Sequence, residues 1–95
     1  MIDIKINFLS LLSDITKVKE LKLSVQENTT IKEILDKLIA KFGEHFKKTI
    51  LDSTDSISKY IILGLNGKDI RTLNNLETVV HHQDELLLLP AIAGG

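Results

Sequence analysis

The chain has 95 residues, 26% of them charged, with a formal net charge of -1, which describes one small globular domain. Cysteine is absent, so disulfides, thiolate catalysis and cysteine metal sites are excluded. Lys and Arg are spread evenly, without the basic stripe of a nucleic-acid binder.

The amino-terminal segment lacks signal-peptide character. No apolar run approaches the length that spans a bilayer. A cytoplasmic protein is expected, with no nucleic-acid and no membrane partner. Aromatic residues are 4% of the chain, so Ile, Leu and Val must build the core.

Ile2, Ile4, Ile6 and Phe8 alternate with Asp3, Lys5 and Asn7, the period of a half-buried strand. Residues 10–17 read as a polar connection that carries Leu11, Leu12 and Ile15. Leu21, Leu23 and Val25 alternate with Lys22 and Ser24 and predict a second strand, in a hairpin with the first.

Thr30 and Glu33 have the spacing of a capping box, in which each satisfies a free backbone N–H at a helix start. Ile31, Ile34, Leu35, Leu38, Ile39 and Phe42 then fall on one helical face. Gly43 sits where a left-handed C-cap is expected. Residues 44–51 can add a further helical turn or two, docked by Phe46, Ile50 and Leu51.

Residues 52–59 have loop composition. Tyr60–Leu65 reads as a strand, Asn66–Gly67 as a tight turn, and 68–71 as a short return strand. Leu73 and Leu76 suit a short helical turn, 81–85 a polar turn, and Leu86–Leu89 a final strand.

The order ββαβββ predicts an α+β fold, a mixed sheet of about four to five strands packed on one main helix. A right-handed crossover should set the strand after the helix parallel to an earlier one. Four successive leucines imply burial on both faces of the last strand, and one helix covers only one face. Leu87 and Leu89 are therefore either partner-binding residues or apolar side chains left exposed or tucked under a loop.

The body shows no placed nucleophile and no phosphate-cradling glycine loop. His81-His82 with Asp84-Glu85 reads as a solvated turn, because neighbours on a strand point to opposite faces; no metal site is expected. His45 stands alone. No catalytic residue of its own is expected in this chain.

The chemistry is expected in the tail. Pro90 lacks an N–H and should end the strand. Ala91, Ile92 and Ala93 can lie extended, and Gly94 and Gly95 lack Cβ atoms and can enter a channel too narrow for side chains. Residues 1–89 read as a folded domain and 90–95 as a tail ending in the carboxylate of Gly95. That carboxylate is inert until ATP converts it to an acyl-adenylate. The chain offers no ATP site, so the partner would use the ATP and no bound cofactor is expected.

The whole pattern resembles the ubiquitin-like β-grasp sulfur carriers, and most of all the small subunits of molybdopterin synthase. Asn66, Gly67, Asp84, Glu85, Pro90, Gly94 and Gly95 carry the match. Gln83-Asp84 stands where many members have Gly-Asp, and one proline precedes the tail where many have two.

The resemblance implies a ubiquitin-activating-type enzyme that joins AMP to Gly95, and a sulfur donor that converts the adenylate to a thiocarboxylate. The tail would then enter the large subunit of molybdopterin synthase and deliver sulfur to a precursor of the molybdenum cofactor. Gly95 would be the reacting group and Gly94 would give access. Leu87, Leu89, Pro90, Ala91, Ile92 and Ala93 would meet the partner.

Ubiquitin-related modifiers share the length and the ending. They imply instead conjugation of Gly95 to lysines on target proteins, with a second role in tRNA thiolation. A passive binding module is a third reading. The tail favours the pterin pathway.

Overall fold

The structure is a computed structural model and describes residues 1–91. In chain order the elements are β1 (Ile2–Phe8), α1 (Leu11–Thr16), β2 (Glu20–Val25), α2 (Ile31–Phe42), α3 (Glu44–Ile50), β3 (Ile61–Leu65), β4 (Lys68–Asp69) and β5 (Glu85–Pro90). Single 3-10 turns at Ile70–Thr72 and Asn75–Glu77 lie between β4 and β5. The strands form one mixed sheet in the order β2-β1-β5-β3-β4. β1 and β5 are parallel and every other pairing is antiparallel.

This is the expected α+β β-grasp, with one correction to the crossover. The first strand after the helices, β3, pairs with β5 and β4 and with no earlier strand. The parallel pair is made by β5, the last strand, which inserts between β1 and β3. A parallel partner needs a long return connection, and here that connection spans most of the chain.

The alternating strands bury Ile2, Ile4, Ile6 and Phe8 against α2, whose Ile31, Ile34, Leu35 and Leu38 face them. The capping box is formed: Glu33 N–H donates to Thr30 Oγ1 at 3.3 Å, and Thr30 N–H donates to Glu33 Oε1 at 3.1 Å. Ile31 N–H donates to Thr78 O at 2.9 Å, so the segment before β5 satisfies another free helix donor. Phe8, Phe42 and Phe46 meet edge to face or tilted, with centroids 5.5 to 6.1 Å apart, and lock α3 to the end of β1.

Residues 10–17 are not a plain connection. They form α1, because Leu12 is fully buried and Ile15 packs beside the core. Ser10 turns the chain at φ 56°, and Lys17 closes the helix in the left-handed region with its N–H on Ser13 O at 2.8 Å. Gly43 is not a left-handed cap either. Its φ of 93° with ψ of -169° is a region open essentially to glycine, and it turns α2 sharply into α3. In the 52–59 loop the Asp52 carboxylate accepts from Thr54 Oγ1 at 2.6 Å and from the N–H groups of Thr54 and Ser56. The Thr54 hydroxyl, first among these donors, holds Asp52 below the usual carboxylate range.

The turn before β5 carries a local strain. Gln83 lies at φ 68° while its N–H donates to Asp3 O at 2.6 Å. A residue with a Cβ pays roughly 1–2 kcal/mol in that region, which glycine avoids. Gln83→Gly should therefore raise stability in urea denaturation, by up to about 1 kcal/mol after glycine's larger chain entropy is subtracted.

Candidate functional site

β5 is bonded on both sides, and its four leucines divide between two faces. Leu86 and Leu88 are buried under the helices, while Leu87 and Leu89 point to the open face and are partly exposed. The open face therefore does carry apolar side chains that the fold does not cover.

Strand register arranges that face in rows. Leu89 stands opposite Ile62 on β3. Leu9 N–H donates to Leu88 O at 3.0 Å, which continues the β1–β5 pairing and brings Leu9 abreast of Leu89. Phe8 N–H donates to Lys19 O at 2.9 Å, which likewise brings Val18 opposite Leu9. Val18, Leu9, Leu89 and Ile62 thus form one apolar row at this end of the sheet, Val18 and Leu9 lying just beyond β2 and β1, with Leu9 44% and Val18 37% exposed.

The next row toward the far end is Glu20, Asn7, Leu87 and Gly64. Beyond it lie Lys22, Lys5 and Glu85. Lys5 Nζ stands 3.7 Å from Glu20 and 3.9 Å from Glu85, exposed pairs that set polarity more than stability. The open face is apolar where the tail leaves and ionic at the other end.

At the tail root, Ala91 N–H donates to Tyr60 O at 2.7 Å, one step past the Ile61–Pro90 pair. Pro90 is the last residue of β5, as expected, and one further bond to the β3 side follows it. Its ring nitrogen points toward β1, so it cannot donate to Leu9 O, and the β1–β5 ladder ends with the Leu9 N–H bond to Leu88 O. Tyr60 beside it is 63% exposed. Ile92, Ala93, Gly94 and Gly95 lie outside the described residues.

Ala91 also borders a groove of about 620 Å³ behind β3, with Ile61, Leu63 and Ile70 in its wall and Asp69 and Arg71 on its rim. The Arg71 guanidinium donates to the Asp69 carboxylate at 2.6 Å and holds it below the usual carboxylate range. A carboxyl lowered in this way contributes above its unfolded pKa, and the contribution fades as pH falls through the folded value.

The polar turn 81–84 is structural. Asp84 accepts from His81 N–H at 2.7 Å and from Asn66 Nδ2 at 2.8 Å, and His82 Nδ1 accepts from Asp3 N–H at 3.0 Å. Among the described residues no three His, Cys, Asp or Glu side chains are grouped to hold a metal ion.

Sequence reasoning singled out Leu87, Leu89, Pro90 and Ala91, and the structure brings these together at one end of the sheet. It missed Val18, Leu9, Tyr60 and Ile62. The signal was present for Leu9, which continues the outward phase of Asp3, Lys5 and Asn7 with an apolar residue.

A five-stranded β-grasp whose last strand lies in the middle of the sheet, and ends beside an apolar row, is a ubiquitin-like protein in architecture. Residues 6–95 match the ThiS family, and the chain belongs to it. It is 32% identical over 69 residues to a putative sulfur carrier protein of Archaeoglobus fulgidus, covering 73% of this chain and 77% of that one. It is 27% identical over 94 residues to the molybdopterin synthase sulfur carrier subunit of Arabidopsis thaliana, covering 99% and 84%. Among solved structures, small archaeal modifier protein 1 of Methanosarcina acetivorans superposes with a TM-score of 0.82 at 28% identity, covering 100% of this chain and 98% of that one.

The two faces of β5 can be separated by adjacent substitutions. Leu88→Ala should cost roughly 2–5 kcal/mol through the cavity it leaves. Leu89→Ala should cost less than about 1 kcal/mol, because its side chain already meets solvent. Equal losses in chemical denaturation would contradict the assignment of faces.

Proposed function

We propose that this protein is a cytoplasmic sulfur carrier that acts as a substrate, with Gly95 as the reacting group and Gly94 giving its backbone access. An adenylating partner of the ubiquitin-activating type supplies ATP chemistry and joins AMP to the Gly95 carboxylate. A sulfur donor displaces the AMP and leaves a thiocarboxylate. The acceptor is the large subunit of a molybdopterin synthase, where the sulfur passes to a precursor of the molybdenum cofactor. The carrier contributes no catalytic residue and binds no cofactor of its own.

The observation that carries this reading is the apolar row at the tail root, joined to membership in the ThiS family. A tail of small residues offers a partner little surface, so recognition must come from the body. Val18, Leu9, Leu89 and Ile62 supply it, with Leu87 one row behind and Pro90 and Ala91 leading into the tail. Surface of this kind is buried reversibly by a partner, which suits a carrier that must be charged, discharged and released. The relative from Arabidopsis thaliana, similar over nearly the whole chain, favours the pterin acceptor.

A second reading is conjugation of Gly95 to lysines on other proteins, favoured by the full-length likeness to a small archaeal modifier protein. Both readings share the adenylation step and differ in the nucleophile that follows.

Mass spectrometry of the protein from its own cells decides between them. A species heavier by the difference between sulfur and oxygen, localised to Gly95, identifies the carrier. A tail remnant on lysines of larger proteins identifies the modifier. Adding one residue after Gly95 should abolish activation without moving the Tm; adenylation of the extended chain, with no trimming, would refute the role of Gly95.

The docking role of the row has its own test. Leu89→Asp should leave the folded state intact by circular dichroism. It should weaken binding to the adenylating partner by about tenfold or more, since a buried unpaired carboxylate costs at least one to three kcal/mol.

A further inference from the structure

The far end of the sheet holds a chemical feature with no part in the tail's reaction. Asn66 alone of the asparagines is followed by glycine. The Asn66–Gly67 turn is exposed, with φ of 51° and 84°, and the position of a Cβ on Gly67 would meet nothing within 4 Å. No side chain therefore shields the Gly67 nitrogen from the Asn66 side-chain carbonyl.

In the folded protein that side chain is tied elsewhere. Asn66 Nδ2 donates to Asp84 Oδ1 at 2.8 Å, and Glu85 N–H donates to Asn66 Oδ1 at 2.9 Å. Both ends of the amide are thus used to clasp the β3–β4 turn to the turn that starts β5. Asp84 is itself only 13% exposed and accepts from His81 N–H with its other oxygen.

We propose that the Asn66 side-chain amide is a site of spontaneous deamidation, held back by this clasp in the folded protein, and that its conversion removes the clasp's bond to Asp84 and weakens it. The backbone nitrogen of Gly67 attacks Cγ of Asn66 and closes a cyclic imide. The Cγ–Nδ2 bond breaks, and ammonia leaves with the proton given up by Gly67. Water then opens the imide at either carbonyl, giving aspartate or its isomer with the backbone routed through the side chain. One water enters, one ammonia leaves, and nothing is oxidised or reduced.

The clasp controls both sides of this reaction. Attack requires the amide to swing toward Gly67, which both hydrogen bonds oppose. After the reaction a carboxylate replaces the amide donor and faces the Asp84 carboxylate. An attraction becomes a like-charge contact at a poorly hydrated oxygen. The bond to Asp84 is then lost and replaced by repulsion, so the two turns are held only by the Asn66 N–H bond to Glu85 O at 2.9 Å and by the Glu85 N–H, while the tail at the other end of the sheet is chemically untouched.

The test is peptide mapping of the full chain held in mildly alkaline buffer, native and in urea. The expected result is the small mass rise of amide-to-carboxyl exchange, confined in urea to the Asn66–Gly67 peptide and at least about tenfold slower in the native protein, where opening must come first. Asp84→Ala should speed the native reaction, at a temperature where circular dichroism shows it folded, and Asp84→Asn, which restores an acceptor, should slow it again. Asn66→Asp should lower the Tm. Equal rates in native and unfolded chains, an unreactive Asn66 in urea, an Asp84→Ala rate equal to wild type, or an unchanged Tm in Asn66→Asp would each overturn the proposal.

Discussion

Insertion of β5 between β1 and β3 is the constraint on which the rest of the molecule depends. Its partners belong to two separate hairpins, one at the start of the chain and one in its second half, so neither hairpin alone defines the sheet. β1 with β2 is local, and β3 with β4 is local, but both leave an edge that only β5 can fill. A fold closed by its last strand relies on contacts of high sequence separation, which are slow to form and costly in loop entropy. In return it fixes the last described residues on two sides. Ladders run to both neighbours, and Ala91 is still bonded to Tyr60 after the strand has ended. A terminus leaving from the middle of a sheet has a defined position and direction at its root. One leaving from an edge strand would be held on one side only.

That same placement explains why β5 is leucine-rich on both faces. In a central strand of a sheet covered on one side, alternate residues should be polar, as Asp3, Lys5 and Asn7 are on β1. β1 obeys the rule and β5 breaks it, although the two are hydrogen-bonded neighbours on the same open face. The physics of this fold alone gives no reason for Leu87 and Leu89 to be apolar. Their neighbours sharpen the point, since the breaks at Leu9, Val18 and Ile62 line up with Leu89 in one row. Scattered exposed leucines are ordinary, whereas a row aligned along one end of the sheet and placed at the tail root is a surface.

Local features were legible in the sequence, and long-range order was not. The α2 helix announced itself through its capping box and apolar spacing, and the Asn66–Gly67 turn through two residues that tolerate positive φ. Each is encoded within a few neighbouring residues. The α1 helix escaped because its six residues mix polar and apolar types, and one buried side chain, Leu12, does most to fix it. The departure at Gly43 escaped because glycine permits both a left-handed cap and the conformation seen, and only the docking of α3 chooses between them. Four leucines correctly suggested a strand, but the burial expected on both faces is met on one only, since Leu87 and Leu89 stay partly exposed. Which other residues join the outer face depends on strand order and register, and those are set by pairings between β5 and residues scores of positions away.

The division of labour between the two ends of the sheet follows from these pairings. At one end the apolar row and the tail root share a surface. At the other, the side chains of Asn66, His82 and Asp84 bond to each other and to the backbone of neighbouring segments. Carrier and modifier would need the same body, because both require an adenylating partner to hold the domain while the terminus reacts. What separates them is the nucleophile presented next, sulfur or a lysine amine, and that group belongs to a partner. The body can influence the choice only through which partners read the row. Under the proposed function, specificity would be a property of a few side chains at the root of the tail, and the tail itself could be chemically generic.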